Sequence, residues 1–171
     1  MLKREAAVEQ LDSLSSQISF ATDGSQFLTF TLGQEEYGVE ILKVQEIKGY
    51  SAVTPIPNTP SYIRGVMNLR GTVIPVVDLR GKLAMAEAEY NQFTVIIVVK
   101  VGTRVMGVVV DAVSDVLNIP KTDILATPDF GAEVDIRFIS GMAKAGERLV
   151  VLLDIEKVLG GDELVSLGSA N

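Results

Sequence analysis

The chain has 171 residues, 47% of them hydrophobic, which is enough to build a real core in one domain or in two small ones. Its formal charge of −7, with no run of Lys or Arg, makes nucleic acid a poor partner because an acidic surface repels phosphates. Histidine and cysteine are both absent, which removes the usual general base and the thiol nucleophile and disfavours hydrolases and transferases.

The N-terminal region carries apolar residues at spacings of three and four between residues 2 and 18, which predicts an amphipathic helix. It has no apolar signal core, and the longest apolar runs, residues 95–99 and 149–153, are only as long as a strand. We therefore expect a cytosolic protein that does not insert into a membrane.

The following segments predict short strands. "FLTFTLG" alternates as a half-buried strand does, and three later segments predict hairpins that reverse at Arg70-Gly71, Gly102-Thr103 and near Gly146. The prolines of "TPIPNTP" predict a structured loop, and "DIEKVLGGDELVSLG" predicts a helix broken at Gly160-Gly161.

An internal repeat organises these strands. Residues 37–47 resemble residues 106–116, and residues 62–79 align without gaps on residues 138–155. Three aligned pairs are identical: Ile63 and Ile139, Gly65 and Gly141, and Asp78 and Asp154. The repeat predicts a duplicated unit of about five strands, and strands this short favour two small barrels that hide their edges.

Features common to both repeats are explained by the fold. Gly65 and Gly141 are expected at a strand bend or a close backbone approach, and Asp78 and Asp154 are expected to cap the following turn or helix. Arg70 has no counterpart, because the second repeat has "AKAGER" where the first has "MNLRGT". Its planar guanidinium suits a partner carboxylate or carbonyl, although an arginine in a turn is also commonly just solvated.

Other polar and aromatic positions allow more than one interpretation. Glu46 is expected to point outward between Val44 and Ile47, which are expected in the core. Asp111 and Asp115 are the nearest candidates for a carboxylate pair, and such acids at a strand margin are usually solvated. Phe130, in the loop "PDFG", is expected either to plug a barrel or to anchor a partner.

Three stretches together closely resemble the CheW family, the coupling proteins of bacterial chemotaxis: "FLTFTLGQEEYGVEILKVQEI", "PNTPSYIRGVMNLRGTVIPVVDLR" and "VVVDAVSDVL". The resemblance runs from about residue 26 to 160, leaving residues 1–25 as an N-terminal amphipathic or flexible segment and 161–171 as a tail. It implies a mainly β domain of two interlocked five-stranded SH3-like barrels around a shared core, with short terminal helices.

The resemblance also implies a non-enzymatic adaptor without cofactor or metal. Its implied partners are the regulatory domain of the histidine kinase CheA and the cytoplasmic tips of methyl-accepting chemotaxis receptors, with self-association possible in array rings under the membrane. The matching positions imply a receptor-binding surface at Arg70, Glu46, Gly65 and Val44.

On the second barrel, the resemblance implies a kinase-binding surface at Asp129, Phe130 and Gly141. Leu125 departs from a basic residue found there in some relatives, which puts the polar part of that contact in doubt. Two alternatives remain: a divergent coupling protein of a parallel chemosensory pathway, and a small β-barrel that binds a metabolite. The lack of an aromatic stacking platform counts against a nucleic-acid-binding barrel.

Overall fold

A computed structural model describes residues 26–127 and 136–160, apart from the side chain of Ile136. The strands formed there are β1 (Gln26–Leu32), β2 (Glu35–Glu40), β3 (Val44–Gly49), β4 (Ile63–Leu69), β5 (Thr72–Asp78), β6 (Val95–Val101), β7 (Arg104–Val110), β8 (Ala112–Asn118), β9 (Ile124–Leu125), β10 (Ile139–Ala145) and β11 (Arg148–Leu153). The helices are α1 (Leu79–Lys82) and α2 (Ile155–Leu159), with 3₁₀ turns at Ile41–Lys43, Lys121–Asp123 and Ile136–Phe138. No helix in this part of the chain is long and apolar enough to cross a membrane.

The predicted strand at β1 and the three predicted hairpins are confirmed, with β4–β5, β6–β7 and β10–β11 as antiparallel pairs. Each hairpin reverses through a residue with positive φ, as tight two-residue turns require: Arg70, Gly102 and Gly146. The predicted N-terminal helix and the C-terminal helix beyond Gly160 lie outside the described residues.

Two sheets exchange strands between the repeats. One sheet has the order β8-β1-β2-β11-β10-β9, and we call it barrel I; the other has the order β3-β6-β7-β5-β4, and we call it barrel II. Strands β1 to β5 form the first repeat, and β6, β7, β8, β10 and β11 form the second. Barrel I contains the first two strands of the first repeat and the last three of the second, and barrel II contains the first two strands of the second repeat and the last three of the first. The predicted pair of interlocked five-stranded units is therefore confirmed, with β9 as an additional two-residue strand.

Both sheets curve back on themselves. In barrel I the outermost strands β8 and β9 are joined directly by residues 119–123. In barrel II the segment after β3 reaches the opposite edge, where Thr54 and Val66 exchange two backbone hydrogen bonds of 2.9 Å. This closure leaves few unpaired strand edges, which agrees with the SH3-like barrel expected from short strands.

The described residues form three apolar clusters, one within each barrel and one shared between them. One cluster lies within barrel II and includes Ile96 and Val98, and a second lies within barrel I and includes Val150 and Leu152. The third and largest contains side chains from both sheets, among them Leu28 and Ile97. Strand β6 contributes alternate residues to two clusters, which explains its nearly continuous apolar sequence.

The repeat is reproduced in backbone detail. The register of β4 against β5 shifts between Ile63 and Gly65, and that of β10 against β11 shifts between Ile139 and Gly141. Both predicted caps are confirmed: a carboxylate oxygen of Asp78 accepts from the amide of Arg80 at 3.0 Å, and that of Asp154 accepts from the amide of Lys157 at 3.3 Å. The same chain geometry is therefore built twice.

Candidate functional site

The β4–β5 turn holds Arg70 in a conformation that arginine rarely adopts. Arg70 and Gly71 both have positive φ, 50° and 91°, which is the pattern of a type I′ turn. The Asn68 side chain supports the turn by accepting a hydrogen bond from the Gly71 amide at 2.7 Å. Glycine or asparagine normally occupies the first position, because a left-handed backbone is unfavourable for other residues. The Arg70 side chain is nonetheless 72% exposed, so packing does not compensate for this strain.

Arg70 is fixed by an ion pair with Glu46 of β3, in which Nη2 donates to carboxylate oxygen Oε2. Strands β3 and β4 are the two ends of the barrel II sheet, so this pair joins them next to the turn. The hydrogen bond from Arg70 lowers the pKa of Glu46 below its ordinary value. The alternation around Glu46 predicts a side chain that points outward into solvent. In the structure this side chain is instead half-buried and paired with Arg70.

The corresponding turn of barrel I is built differently. Gly146 occupies the position aligned with Arg70 and has a φ of 66°, while Glu147 after it has negative φ. The residue aligned with Glu46 is Asp115, whose carboxylate accepts a hydrogen bond from the amide of Val116 at 2.8 Å. The Arg70–Glu46 pair thus belongs to one repeat only, and the fold itself does not require it.

Gly65 and Gly141 lie in the two equivalent strand bulges, where no side chain fits. A Cβ at Gly65 would lie 1.9 Å from the carbonyl oxygen of Thr54, and the φ of Gly65 is +137°. A Cβ at Gly141 would lie 2.6 Å from Cγ2 of Ile124 and 3.1 Å from the carbonyl oxygen of Leu125. The predicted close backbone approach is confirmed at both glycines, and each one allows the closing segment of its barrel to pair.

Residues 26–163 match the family model described as CheW-like domain. The chain belongs to the CheW family. It is 48% identical to chemotaxis protein CheW of Klebsiella aerogenes over 87% of this chain and 90% of that protein. It is also 39% identical to chemotaxis protein CheW of Rhizobium meliloti over 82% of this chain and 90% of that protein.

A solved structure has the same fold. The crystal structure of scaffolding protein TtCheW from Thermoanaerobacter tengcongensis matches with a TM-score of 0.75 and 29% identity, covering 82% of this chain and 95% of that one. The mainly β, SH3-like architecture of the CheW family is therefore the architecture of this chain, and the family is one of chemotaxis scaffold proteins.

The receptor-surface residues implied by the CheW resemblance are only partly brought together. Arg70 and Glu46 are in contact, and Val44 is on the same strand as Glu46, separated from it by a register shift. Val44 is partly buried against the shared core, as is Ile47. Gly65 is buried beneath Thr54, so any influence of this residue on a partner acts through the position of that segment.

The implied kinase-surface residues are described only in part. Asp129 and Phe130 lie outside the described residues. Gly141 is buried under β9, where it holds Leu125 at the sheet edge with its side chain 52% exposed. This edge therefore presents an apolar side chain.

Sequence reasoning missed Leu42, the most exposed large apolar side chain in the described part of the chain at 77%. It lies in the 3₁₀ turn between β2 and β3, two residues before Val44. A comparison of the two repeats could have identified Leu42, because it aligns with Asp111 of the second repeat. Single exposed apolar residues are common on protein surfaces, so Leu42 is a candidate only in combination with its neighbours.

Asp111 joins the two barrels at the crossover from β7 to β8. Its carboxylate accepts from Arg80 Nε at 2.8 Å and from the amide of Gly33 at 2.8 Å. Burial by itself raises the pKa of Asp111, but the hydrogen bonds from Arg80 and Gly33 outweigh it and lower the pKa below its ordinary value. The crossover from β2 to β3 has a corresponding ion pair between Lys43 and Glu156, at 2.7 Å. There the crossover residue carries the positive charge and the helix residue the negative one. Asp111 is thus an ion-paired structural residue, and it does not form a carboxylate pair with Asp115.

Proposed function

We propose that this chain is a non-enzymatic adaptor that couples methyl-accepting chemotaxis receptors to the histidine kinase CheA. It would act in the cytoplasm, within receptor arrays beneath the membrane. Membership of the CheW family supports the proposal, as does the description of TtCheW as a scaffolding protein. The observation that carries it is Arg70, an exposed arginine held in an unfavourable backbone conformation that only one repeat has.

The proposed receptor surface is the end of barrel II around Arg70. Glu46 engages Nη2 of the guanidinium, and a guanidinium has five N–H donors, so further donors remain for a receptor carboxylate or carbonyl. Exposed Leu42, close in sequence to Val44, supplies an apolar anchor of the kind that an amphipathic receptor helix would cover. Glu46 then orients the guanidinium before binding, which reduces the entropy lost on association.

The proposed kinase surface is the edge of barrel I formed by β9 and β10. Gly141 sets the position of β9, and Asp129 and Phe130 follow that strand in the sequence. The CheA regulatory domain would contact this edge, and contacts of the same kind would allow ring assembly. Kinase control would arise when assembly favours one of two kinase states, since a binding partner shifts a conformational equilibrium by its differential affinity.

Reconstitution of receptor-bearing membranes with CheA tests the receptor surface. We expect wild type to give receptor-dependent kinase control, and Arg70→Asn to weaken it by at least about tenfold, the loss typical of an arginine that is an interface hot spot. Asparagine tolerates positive φ, so the turn should be preserved. The matched control is Lys144→Asn, which removes an exposed positive charge beside the equivalent turn of barrel I. Because Lys144 lies on β10 of the proposed kinase surface, the two variants are compared by their binding to receptor-bearing membranes without CheA, which Arg70→Asn should weaken and Lys144→Asn should leave intact.

A charge exchange separates a partner contact from an internal role. The double variant Arg70→Glu with Glu46→Arg keeps an ion pair between β3 and the turn but presents the opposite charge outward. We expect it to fold and to lose receptor coupling. Retained coupling would assign Arg70 an internal role alone, and failure of wild type to bind any CheA-type kinase would contradict the whole proposal.

A further inference from the structure

A cleft of about 470 Å³ opens where the two pseudo-equivalent helices α1 and α2 approach each other. It lies away from the Arg70 turn, on the side of the molecule where each repeat leaves its last strand. Its lining residues come from α1, from the 3₁₀ turn before β10, and from α2 and its end: Lys82, Arg137, Phe138, Glu156, Lys157 and Gly160. The volume is within the range of ligand-binding clefts in proteins.

The cleft is basic on a protein that is acidic overall. Three of its lining side chains are cationic and one, Glu156, is anionic, whereas the whole chain carries −7. The Glu156 carboxylate is already engaged by Lys43 Nζ at 2.7 Å. A concentration of positive charge in a concave site attracts anions, and the acidic surface elsewhere repels them, so an anionic partner would be steered here.

The repeat indicates that Lys82 is not needed by the fold. Extending the alignment of the two hairpins into the helices places Val158 opposite Lys82, and Val158 is fully buried in the shared core. In its place Lys82 extends its ammonium to 4.7 Å from the ring centre of Tyr62 and 5.7 Å from that of Phe138. These two rings are themselves aligned residues, so the lysine lies between equivalent aromatic groups of the two repeats.

We infer that this cleft binds an acidic peptide segment of a partner protein. The cations come from three separate elements and do not form a single phosphate cradle, which suits several carboxylates along an extended chain. The Phe138 ring offers an apolar contact beside the charges, as a peptide with both acidic and aliphatic side chains requires. The site is independent of the receptor surface proposed at Arg70.

Solution NMR of the full chain with a synthetic peptide tests the inference directly. The probe is a seven-residue peptide of alternating glutamate and leucine with blocked ends, and its control has glutamine in place of glutamate. We expect the glutamate peptide to shift the amide signals of Lys82, Phe138 and Lys157, with affinity that falls as salt is raised. The glutamine peptide should produce no saturable shift.

Two variants give the expected magnitude and a matched control. Lys82→Val copies the second repeat and should therefore fold, while weakening the glutamate peptide by about fivefold, the effect of one lost ion pair. Lys157→Gln should weaken it similarly, and Lys121→Gln, an exposed lysine in another 3₁₀ turn, should not. The inference is overturned if the glutamine peptide binds equally, if the shifts map elsewhere, or if inorganic phosphate binds more tightly at the same residues. No receptor or kinase is used, so the outcome is separate from that of the coupling assay.

Discussion

The two repeats build nearly the same backbone from largely different side chains, and three of the differences change the contacts that are made. Each has a bulge at a glycine, an aspartate cap, and the same parallel pairing, with Val76 opposite Gly107 in one barrel and Leu152 opposite Gly38 in the other. They differ at the hairpin turn, at the crossover between the second and third strands, and in the short terminal helix.

The difference separates two kinds of requirement. Where the repeats agree, the backbone geometry leaves no choice, because the glycines and caps satisfy steric and hydrogen-bonding demands. Where they differ, each repeat shows that the shared backbone can be built with another side chain at that position. Arg70 against Gly146 and Lys82 against Val158 are of this second kind, and each lies on a surface that we propose for a partner.

The largest expected effect separates the two bulges. Gly65→Ala should lower the free energy of unfolding by about 3 to 5 kcal/mol, since its Cβ would overlap a backbone carbonyl at a positive φ. Gly141→Ala should cost less, about 1 to 3 kcal/mol, because its Cβ would overlap a methyl group of Ile124, would only approach the Leu125 carbonyl oxygen, at 3.1 Å, and would not sit at a positive φ. Urea unfolding followed by circular dichroism measures both.

Equal losses in the two variants would contradict the distinction between overlap with a backbone carbonyl at Gly65 and overlap with a side-chain methyl group at Gly141. Gly102→Ala provides a reference, since it has positive φ but nothing lies within 4 Å of its Cβ. Its loss reports the cost of the backbone conformation alone, and the excess seen for Gly65→Ala reports the overlap with Thr54.

Much of the fold could be predicted because its signals are local or repeated. Alternation located β1, turn glycines located the hairpins, and the alignment of Gly65 with Gly141 predicted a shared backbone feature. The exchange of strands between sheets entered only through the family resemblance, because no local pattern tells whether β3 pairs with β1 or with β6. Strand pairing between distant segments depends on the summed burial of both faces, which a single strand does not encode.

A smaller effect should separate the two crossover ion pairs. Asp111→Asn should destabilise the protein by about 2 kcal/mol, because Arg80 and the Gly33 amide both lose a charged acceptor in a partly buried site. Lys43→Gln removes a charge from the equivalent but more exposed pair with Glu156 and should change stability by less than about 0.5 kcal/mol. Equal losses measured by urea unfolding would show that burial does not decide the strength of these pairs.

Lowering the pH should remove the stability that the ionised Asp111 carboxylate contributes to the folded protein. Its pKa is lowered in the folded protein from an ordinary value of 3.8, so its stabilisation is complete above the unfolded-state pKa and is lost as the pH falls through the folded-state value. The difference in unfolding free energy between wild type and Asp111→Asn should be constant from about pH 7 to 5 and shrink below about pH 4. A difference that persists at low pH would indicate a packing effect instead.

The candidate site was predictable only where the repeats could be compared. Arg70 was found because its aligned position differs. The alignment of residues 37–47 with 106–116 already contained the difference between Leu42 and Asp111, and extending the second alignment into the helix would have found Lys82. The Glu46 partner was not predictable, since it depends on two ends of a sheet meeting in space. Alternation places Glu46 outward but contains no information about what lies beside it.

The smallest expected change concerns the turn itself. Arg70→Gly copies Gly146 of the second repeat and relieves the positive φ of a non-glycine residue, but it also gives up the pair with Glu46 and adds flexibility to the unfolded chain. These contributions oppose one another, so we expect the midpoint of urea unfolding to stay within measurement error of wild type, while receptor coupling is lost. Glu46→Gln is the companion variant, because it removes the same ion pair and leaves the arginine in place. If Arg70→Gly unfolds much more readily than Glu46→Gln, the guanidinium stabilises the barrel through contacts other than Glu46, and the contrast with Gly146 no longer argues for a partner.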